Sequence, residues 1–393
     1  MSDAEAAGNR PRRMPNTGRT WRRTDLRHGY TTGANAAAAA AAATVALLTR
    51  EPVRQITIDL PAEAGVTFTI VRCEFDTPAV GQVTCATIKD AGDDPDVTHG
   101  AEIAATVSWQ DEPGIRIAGG PGVGVVTLPG LPMPVGEAAI NPGPRRIIRR
   151  AVEAAAGPAL AERGLRVMVS VPRGAELAEQ TLNPKLGIVG GISILGTDGI
   201  VRPYSLAAYR AGIHAELKVA AENGLRTIVL TTGVRSEEYA RRRAPDLPLL
   251  ACVQVGDHMG YALAQARRLG FARAIISGMI GKLSKVAQGR MQTHVSEGEI
   301  DLAFLTQVAR EIGADEAIAA AVAAANTAHH VQMLLKRASL SGLEQRLAEL
   351  AAAQAAAYVA DSLTIEVWLW TIGGELLATA SAGPASVAGQ GKA

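Results

Sequence analysis

Three continuous apolar runs in the second half of the chain limit its fold more than any other feature. They are TIVLTTG (227–233), LLACVQVGD (249–257) and AIISGMIG (274–281). Helical sequence precedes them at 206–223, ending at Gly224, and recurs between them at 261–269. Strands buried on both faces read as continuous apolar runs, and crossover helices join parallel strands. The sequence therefore predicts a Rossmann-like α/β domain with a mainly parallel sheet over residues 206–345.

The first half of the chain has a different texture. Short runs with β-branched residues follow one another at 56–60, 66–75, 83–90, 102–110, 115–120 and 165–171. One helix is predicted from GYTTG (29–33) through eight consecutive alanines, with Thr31, Thr32 and Asn35 as competing N-caps. A second helix is predicted over 144–156. Consecutive strands with few helices are typical of an α+β domain, here over residues 26–205.

A length of 393 residues also favours two domains. Residues 346–380 are predicted as a helix and a hairpin that turns at Gly373-Gly374, and the sequence leaves open which sheet the hairpin joins. Residues 1–25 are arginine-rich and are predicted as a disordered tail, with a basic docking arm as the alternative. Residues 381–393 are predicted as a second disordered tail.

Composition argues against several classes of partner. Lys+Arg is 39 against 38 for Asp+Glu, and aromatic residues make up 4%, so neither nucleic acid nor a membrane surface is expected as the main partner. Cys73, Cys85 and Cys252 lack zinc-ligand or redox spacing, which predicts reduced thiols and no metal site. With no secretory signal and no 18-residue apolar run, we expect a cytoplasmic protein.

The three apolar runs all end in small residues. The endings are Thr231-Thr232-Gly233, Gly256-Asp257-His258 and 277–281. Ligands of open parallel sheets bind at the carboxyl ends of the strands, and glycine lets backbone approach a ligand closely. Tight turns alone explain any one of these endings. Three together predict a binding site.

A glycine-rich segment, GGPGVG (119–124), resembles the phosphate loops of nucleotide-binding proteins. Such a loop should open a helix, but the residues that follow read as strand, so the required context is missing. A loop shaped around a cofactor through Gly120, Gly122 and Gly124 remains the alternative.

The densest polar cluster is KDAGDDPDVTHG (89–100). One interpretation is a solvated loop with turns around Pro95. The other is a site in which Asp90, Asp93, Asp94 and His99 bind ribose hydroxyls or a sulfonium, or supply an acid or base. Metal binding is not expected, since the calcium-loop and zinc-ligand spacings are absent.

Basic residues mark two further places. Lys282 and Lys285 follow a strand end at the start of a helix, where backbone N–H groups also attract carboxylates. Arg145, Arg146, Arg149 and Arg150 give one helix a basic face, which is otherwise explained as a solvated surface. Thr293 and His294 lie in a nearby loop. No order of serine, histidine and aspartate typical of hydrolases is present.

Five long motifs together resemble the CbiD family of cobalt-precorrin-5B C(1)-methyltransferases. They are GYTTG with its alanine run (29–43), KDAGDDPDVTHG (89–100), the glycine-proline stretch 122–148, LNPKLGIVGGISILGTDGIVRPYS (182–205) and GMIGKLSKVAQGRMQTH (278–294). The resemblance covers residues 26–380. The chain departs from the family pattern at Asn35 (often Cys), Leu128 (often Lys) and Met279 (often His). These departures argue that the three side chains are dispensable and leave room for a variant substrate.

The resemblance implies transfer of a methyl group from S-adenosyl-L-methionine to ring carbon 1 of cobalt-precorrin-5B, giving cobalt-precorrin-6A in cobalamin biosynthesis. The protein's task would be to position two reactants and stabilise the transition state. Alternatives are methylation with deacylation of a metal-free precorrin, and a non-catalytic corrinoid-binding protein. A nicotinamide-dependent dehydrogenase is disfavoured because the glycine motif is misplaced. A homo-oligomer and transient contacts with neighbouring pathway enzymes are left open.

We assign the candidate residues three roles. Predicted catalytic residues are Asp90, Asp93, Asp94, His99 and His294. Predicted cofactor-binding residues are Thr31, Thr32, Gly33, Gly120, Gly122, Gly124, Gly256 and Asp257. Since the substrate carries several carboxylates, its predicted ligands are Arg145, Arg146, Gly278, Gly281, Lys282, Lys285 and Thr293.

Overall fold

The computed structural model describes residues 26–76, 81–294 and 300–384. The chain divides into two compact units, Met1–Leu206 and Ala207–Ala393. The predicted N-terminal tail and its docking-arm alternative lie outside the described residues. The predicted C-terminal tail begins too early, because Ser381 and Ala382 still pair with the neighbouring strand.

Strands dominate the first unit. Its helices are α1 (Thr32–Thr49), α2 (Pro142–Ala156) and α3 (Gly174–Ala178). Its longer strands are β2 (Gln55–Leu60), β3 (Glu63–Thr69), β4 (Arg72–Phe75), β5 (Gln82–Ile88), β6 (Glu102–Gln110), β7 (Ile115–Gly119) and β10 (Gly164–Ser170). Its two-residue strands are β1 (Gly29–Tyr30), β8 (Gly122–Val123), β9 (Val125–Val126), β11 (Ile188–Val189), β12 (Gly191–Ile192) and β13 (Ile200–Val201).

The main sheet of this unit has the order β4-β5-β6-β10-β7, with only the β10–β7 pair parallel. The single strand predicted at 66–75 is wrong. The chain changes partners at Ile70 and Val71, so that β3 pairs with β2 while β4 pairs with β5. Three of the two-residue strands, β11, β12 and β13, lie in the glycine-rich stretch 182–205.

The alanine helix α1 is the centre of the first core. Ala34 and Ala36–Ala43 are each at most 1% exposed, because methyl side chains let α2, β5 and β6 pack close to the helix axis. Thr31 is the N-cap, and its Oγ1 accepts a hydrogen bond from Ala34 N at 3.2 Å. By length and composition α1 could cross a membrane, but 83% of it is buried, and a core helix passes the same test.

The second unit alternates helices and strands. Its helices are α4 (Leu206–Glu222), α5 (Val234–Arg243), α6 (Met259–Arg268), α7 (Ile280–Ala287), α8 (Leu302–Glu311), α9 (Glu316–Ala323), α10 (Ala328–Arg337) and α11 (Leu343–Tyr358). Its strands are β14 (Thr227–Thr231), β15 (Cys252–Gln254), β16 (Arg273–Met279), β17 (Thr364–Trp370) and β18 (Leu376–Ala382).

The second sheet has the order β15-β14-β16-β17-β18, parallel except for the antiparallel β17–β18 pair. The C-terminal hairpin therefore completes this sheet. Both faces are covered: Ile228 and Leu230 of β14 point into the larger core, while Val229 packs with Tyr239 and Trp370 on the other side. The protein is thus a mixed α/β structure with a parallel sheet in its second unit.

Two details of the second unit differ from the prediction. The run 249–257 forms only the short edge strand β15, because 249–251 make a 3-10 turn. Helices α8 and α10, which begin after the N-caps Asp301 and Thr327, were not predicted from the sequence. The predicted boundary between 345 and 346 consequently cuts through α11.

Candidate functional site

Residues at the carboxyl ends of the parallel strands, on α7 and in the loop after it form what we call the strand-end cluster: Thr232, Asp257, Lys282, Lys285 and Thr293. The Lys282 Nζ donates to the Thr232 carbonyl oxygen at 2.9 Å and lies 3.1 Å from Asp257 Oδ1. The Thr293 hydroxyl donates to the same Oδ1 at 2.9 Å. One ammonium therefore connects the loops that follow β14 and β15 to the first turn of α7.

The two lysines of this cluster have different environments. Lys285 is 5% exposed, and its Nζ donates to the carbonyl oxygens of Thr293 and His294 at 3.1 and 3.4 Å. The side chain of Lys282 is 35% exposed, and that of Asp257 is 27% exposed. Lys285 thus supports the backbone of the loop, whereas Lys282 presents its charge to solvent and to any ligand there.

The Asp257 carboxyl remains ionised at neutral pH. Burial alone would raise its pKa, but the Lys282 ammonium and the hydrogen bond from Thr293 outweigh burial, so the pKa is lowered. An anion and a cation consequently lie side by side at the strand ends, a pair of charges that suits a zwitterionic ligand.

His258 follows Asp257 and belongs to the same region, although the sequence analysis gave it no role. It is 4% exposed, its Nδ1 accepts from Arg210 Nε at 3.5 Å, and its ring centre lies 5.3 Å from that of Tyr209. Burial, and then the charge of Arg210, lower the pKa of His258 and keep the imidazole neutral at neutral pH. Its place after a strand end was the signal that could have revealed it.

The strand-end glycines leave space beside the cluster. A Cβ atom at Gly233 or Gly281 would meet no heavy atom within 4 Å. At Gly256 and Gly278 a Cβ would approach only side chains, the Tyr209 hydroxyl at 2.8 Å and the Thr232 side chain at 3.0 Å. These loops therefore offer room on the side where parallel sheets bind ligands.

The acidic segment 89–100 uses its carboxylates within the first unit. The Arg27 guanidinium donates to both oxygens of Asp90, at 2.5 and 2.9 Å, and the Arg27 backbone N–H donates to Asp93 Oδ2 at 2.6 Å. The Tyr204 N–H donates to Asp94 Oδ1 at 2.9 Å, and the Ala91 N–H donates to His99 Nδ1 at 3.1 Å. The predicted catalytic groups Asp90, Asp93, Asp94 and His99 thus all hold neighbouring chain segments in place. Arg27 was missed, because nothing in its spacing connects it to residue 90.

A buried ion pair lies at the base of the same segment. Lys89 is 1% exposed and lies 2.6 Å from Asp96, which also accepts from the Thr98 N–H and hydroxyl. Burial raises the pKa of Asp96, yet Lys89 and Thr98 more than compensate and lower it. Burial raises the pKa of Asp94, while the Arg27 guanidinium lowers that of Asp90 to about 2.

The GYTTG segment is occupied by structural contacts. Thr31 caps α1, and the Thr32 hydroxyl accepts from the Leu195 N–H at 2.9 Å. A Cβ at Gly33 would lie 2.8 Å from Pro144, so this glycine lets α1 and the start of α2 approach each other. Both threonine hydroxyls therefore already contact the protein, and Gly33 has no side chain. No side-chain oxygen of Thr31, Thr32 or Gly33 is left without a protein contact for the predicted cofactor-binding role.

The glycines of 119–124 pack against the protein's own atoms. A Cβ at Gly122 would lie 1.8 Å from the Val171 oxygen, and one at Gly124 would lie 2.3 Å from Ile188. A Cβ at Gly120 would lie 3.0 Å from Met168. These glycines allow β8 and β9 to pair with β12 and β11. This packing accounts for the motif without a bound phosphate.

The predicted basic and loop residues differ in whether protein groups already hold their side chains. Arg145 donates to the carbonyl oxygens of Ile140 and Ile117 and to Glu137, so its guanidinium is held by the protein. Arg146 lines a groove of about 580 Å³ in the first unit. His294 is exposed at the end of the described segment 81–294. Among the described residues, no group of three or more His, Cys, Asp or Glu side chains could hold a metal ion.

Comparison with known proteins matches two family models to the chain. CbiD matches residues 19–203, and the CbiD C-terminal domain matches residues 292–381. A cobalt-precorrin-5B C(1)-methyltransferase from Geobacillus kaustophilus is 48% identical over 90% of this chain and 95% of its own. Its counterpart from Priestia megaterium is 43% identical over 90% and 96%. A crystal structure of a cobalamin biosynthesis protein (cbiD) from Archaeoglobus fulgidus is 30% identical, covers 73% of this chain and 84% of its own, and has a TM-score of 0.36.

Proposed function

Because the chain belongs to the CbiD family, we propose that it transfers a methyl group from S-adenosyl-L-methionine to ring carbon 1 of cobalt-precorrin-5B in cobalamin biosynthesis. The observation that carries this function is the near full-length similarity, 48% identity over 355 residues, to relatives that bear that name. The chain is accordingly an S-adenosylmethionine-dependent C-methyltransferase, and its substrate is a small corrinoid molecule.

We place the ligand-binding region at the strand-end cluster of the second unit. The arrangement fits the reactants, since Asp257 and Lys282 offer both signs of charge and Gly233 and Gly281 leave room for bulky groups. When bound, S-adenosylmethionine supplies an activated methyl group on its sulfonium. The chain's task is then to orient the two molecules and exclude water.

Individual residues have distinct tasks in this proposal. Gly256 and Asp257 bind S-adenosylmethionine. Lys282 holds a carboxylate of the corrinoid, and Thr293 orients Asp257 through its hydroxyl. Lys285 acts indirectly, because it supports the backbone of 293–294. For Asp90, Asp93, Asp94 and His99, their contacts favour a structural role, and a catalytic role for them or for His294 stays a prediction.

The wider description also belongs to the proposal. The first domain corresponds to residues 26–205 and is α+β, and the second is Rossmann-like, with four parallel strands whose carboxyl ends carry the site. The protein works in the cytoplasm. The proposal also includes self-association of the chain and transient contacts with neighbouring enzymes of the pathway.

The function is tested by incubating the protein with cobalt-precorrin-5B and S-adenosylmethionine carrying a ¹³C-methyl group. We expect the label on ring carbon 1, located by NMR and mass spectrometry. Transfer only to the metal-free precorrin would show that the substrate is that molecule and not cobalt-precorrin-5B. Corrinoid binding without methyl transfer to either ring would show that the chain is a corrinoid-binding protein and not an enzyme.

The site is tested separately with Lys282→Ala. Loss of one charge-assisted contact should raise the KM for the corrinoid about tenfold or more, while the KM for S-adenosylmethionine changes less. Lys336→Ala, on the exposed surface of α10, is the matched control and should leave both constants unchanged. A Lys282→Ala enzyme with wild-type constants would contradict this placement.

A further inference from the structure

The first unit contains a groove that has no role in the site proposed at the strand-end cluster. It has a volume of about 580 Å³ and is bordered by α1, α2 and β2. Ligand pockets in proteins commonly measure roughly 300–1,000 Å³, so the groove has the size of a small-molecule site. Its size follows from the sequence, because Ala41, Ala151, Ala154 and Ala155 line it with methyl groups where larger side chains would fill it.

The edge of the groove is basic. Arg146 and Arg150 lie one turn apart on α2 and both line it. Within the part of the chain that the structure describes, neither guanidinium has a hydrogen bond or an ion pair. Arg145 is different, since three protein acceptors hold it.

One acidic residue at the groove offsets only part of this charge. Asp59 also lines the groove, where its Oδ1 accepts the Gly65 N–H at 2.7 Å, so the lining carries two positive charges and one negative charge. The groove therefore combines an apolar wall with two arginines that have no acceptor among the described residues. Such a surface suits a ligand with a flat apolar body and carboxylates along its rim.

We infer that this groove binds the carboxylate-bearing rim of a polycarboxylate tetrapyrrole, with Arg146 and Arg150 pairing with side-chain carboxylates and the alanine wall contacting the ring. This inference rests on the proposed function for the identity of the ligand class. Of the two arginines predicted as substrate ligands on α2, it keeps Arg146 and drops Arg145, and it adds Arg150.

Binding is measured directly, without S-adenosylmethionine, by the change in fluorescence of uroporphyrin I, which carries eight carboxylates. We expect the Arg146→Ala/Arg150→Ala protein to bind the probe about ten- to a hundredfold more weakly. Arg149→Ala, on the same exposed helix but outside the groove, should bind within twofold of the wild type. Cobyrinic acid, a corrinoid with free carboxylates, should displace the probe, whereas the amidated corrinoid cobinamide should not.

A steric variant tests the same groove without removing charge. Ala154→Trp adds an indole to the wall and should abolish probe binding. Glu153→Trp, the exposed neighbour that does not line the groove, controls for the added bulk. Circular dichroism and a thermal melt confirm that each variant is folded.

The outcomes separate the two proposals. Wild-type probe affinity in both the double-arginine and Ala154→Trp proteins would overturn the groove, whatever the methyl-transfer assay gives. Displacement of the probe by laurate as readily as by cobyrinic acid would also overturn it, because the groove would then accept any amphipathic anion. Groove-dependent binding in a protein that transfers no methyl group would support the groove while the proposed function fails.

Discussion

Glycine serves opposite purposes in two glycine-rich regions of this protein. In the first unit, Gly122 and Gly124 lie so close to other backbone that an added Cβ would overlap the Val171 oxygen or Ile188. In the second unit, Gly233 and Gly281 face open space. The first region is filled by the protein's own atoms, and the second is available to a ligand. Glycine content alone therefore does not identify a binding loop.

The lysine–aspartate pairs of the two units differ in the same sense. Lys89 is 1% exposed in its pair with Asp96, whereas Lys282 is 35% exposed in its pair with Asp257. A buried pair is a structural element whose disruption leaves an unpaired charge, and an exposed pair contributes little to stability. Substitutions in the two regions should accordingly affect different measurements.

The largest effect is expected from Gly122→Ala. Its Cβ would lie 1.8 Å from the Val171 oxygen and its φ is +77°, so the free energy of unfolding should fall by about 4 kcal/mol or more. Gly136→Ala is the control, since its φ is +89° but its Cβ would meet nothing within 4 Å, and it should cost about 1–2 kcal/mol. Urea unfolding followed by circular dichroism measures both. Equal losses would remove the distinction between a filled glycine and a merely strained one.

The next effect is expected from Lys89→Met. It leaves Asp96 partly buried without its cation, and the free energy of unfolding should fall by about 3 kcal/mol. Lys282→Met breaks the exposed pair and should cost about 1 kcal/mol or less. If the two variants were equally destabilised in the same urea experiment, the strand-end pair would be structural as well.

A smaller effect, confined to activity, is expected from Gly281→Val. The isopropyl group enters the open space at the strand ends, so kcat/KM for methyl transfer should fall about tenfold, or about 1.4 kcal/mol. Stability should not fall, because valine is a better helix former than glycine. Gly373→Val in the β17–β18 turn serves as the control. Unchanged activity in Gly281→Val would show that no reactant uses that space.

The smallest effect concerns acid stability. The Arg27 guanidinium lowers the pKa of Asp90 from 3.8 to about 2, so this carboxylate stabilises the fold above pH 4 and loses that contribution as the pH falls from 4 to 2. Because both side chains of the pair are about half exposed, solvent screening keeps this contribution the smallest of the four. Asp90→Asn should therefore be slightly less stable at pH 7 and decline less between pH 4 and 2. Asp111→Asn, 99% exposed, should decline like the wild type.

Local signals in the sequence predicted the regular parts of the fold. The apolar runs gave β14 and β16 of the parallel sheet, and the alanine run gave α1. The alternating runs gave β2, β5 and β6. Two features were missed because partners distant in sequence decide them. The division of the run 66–75 into two strands at Ile70 and Val71 depends on which neighbouring strand each half pairs with. The short length of β15 depends on its place at the edge of the sheet.

The candidate site was less predictable than the fold. Membership of the CbiD family, predicted from five motifs, is confirmed by the family models and relatives. The sequence does not reveal that Asp90 is engaged by Arg27 or that Arg145 is held by Ile140 and Ile117. Whether a polar side chain is free for a ligand depends on neighbours tens of residues away. Motifs therefore predicted regions for the chemistry, and contacts were needed to compare the residues within each region.

The buried alanine helix has a consequence for how this chain specifies its own structure. Eight identical side chains in succession, 36–43, carry no phase information, since rotating or sliding that stretch by one residue presents the core with the same surface. The phase is set instead at the ends, by the Thr31 cap, by the hydrogen bond between Asn35 and Thr87, and by buried Thr44. Adding or deleting one alanine would leave the composition of the helix almost unchanged and yet turn one end by about 100° relative to the other.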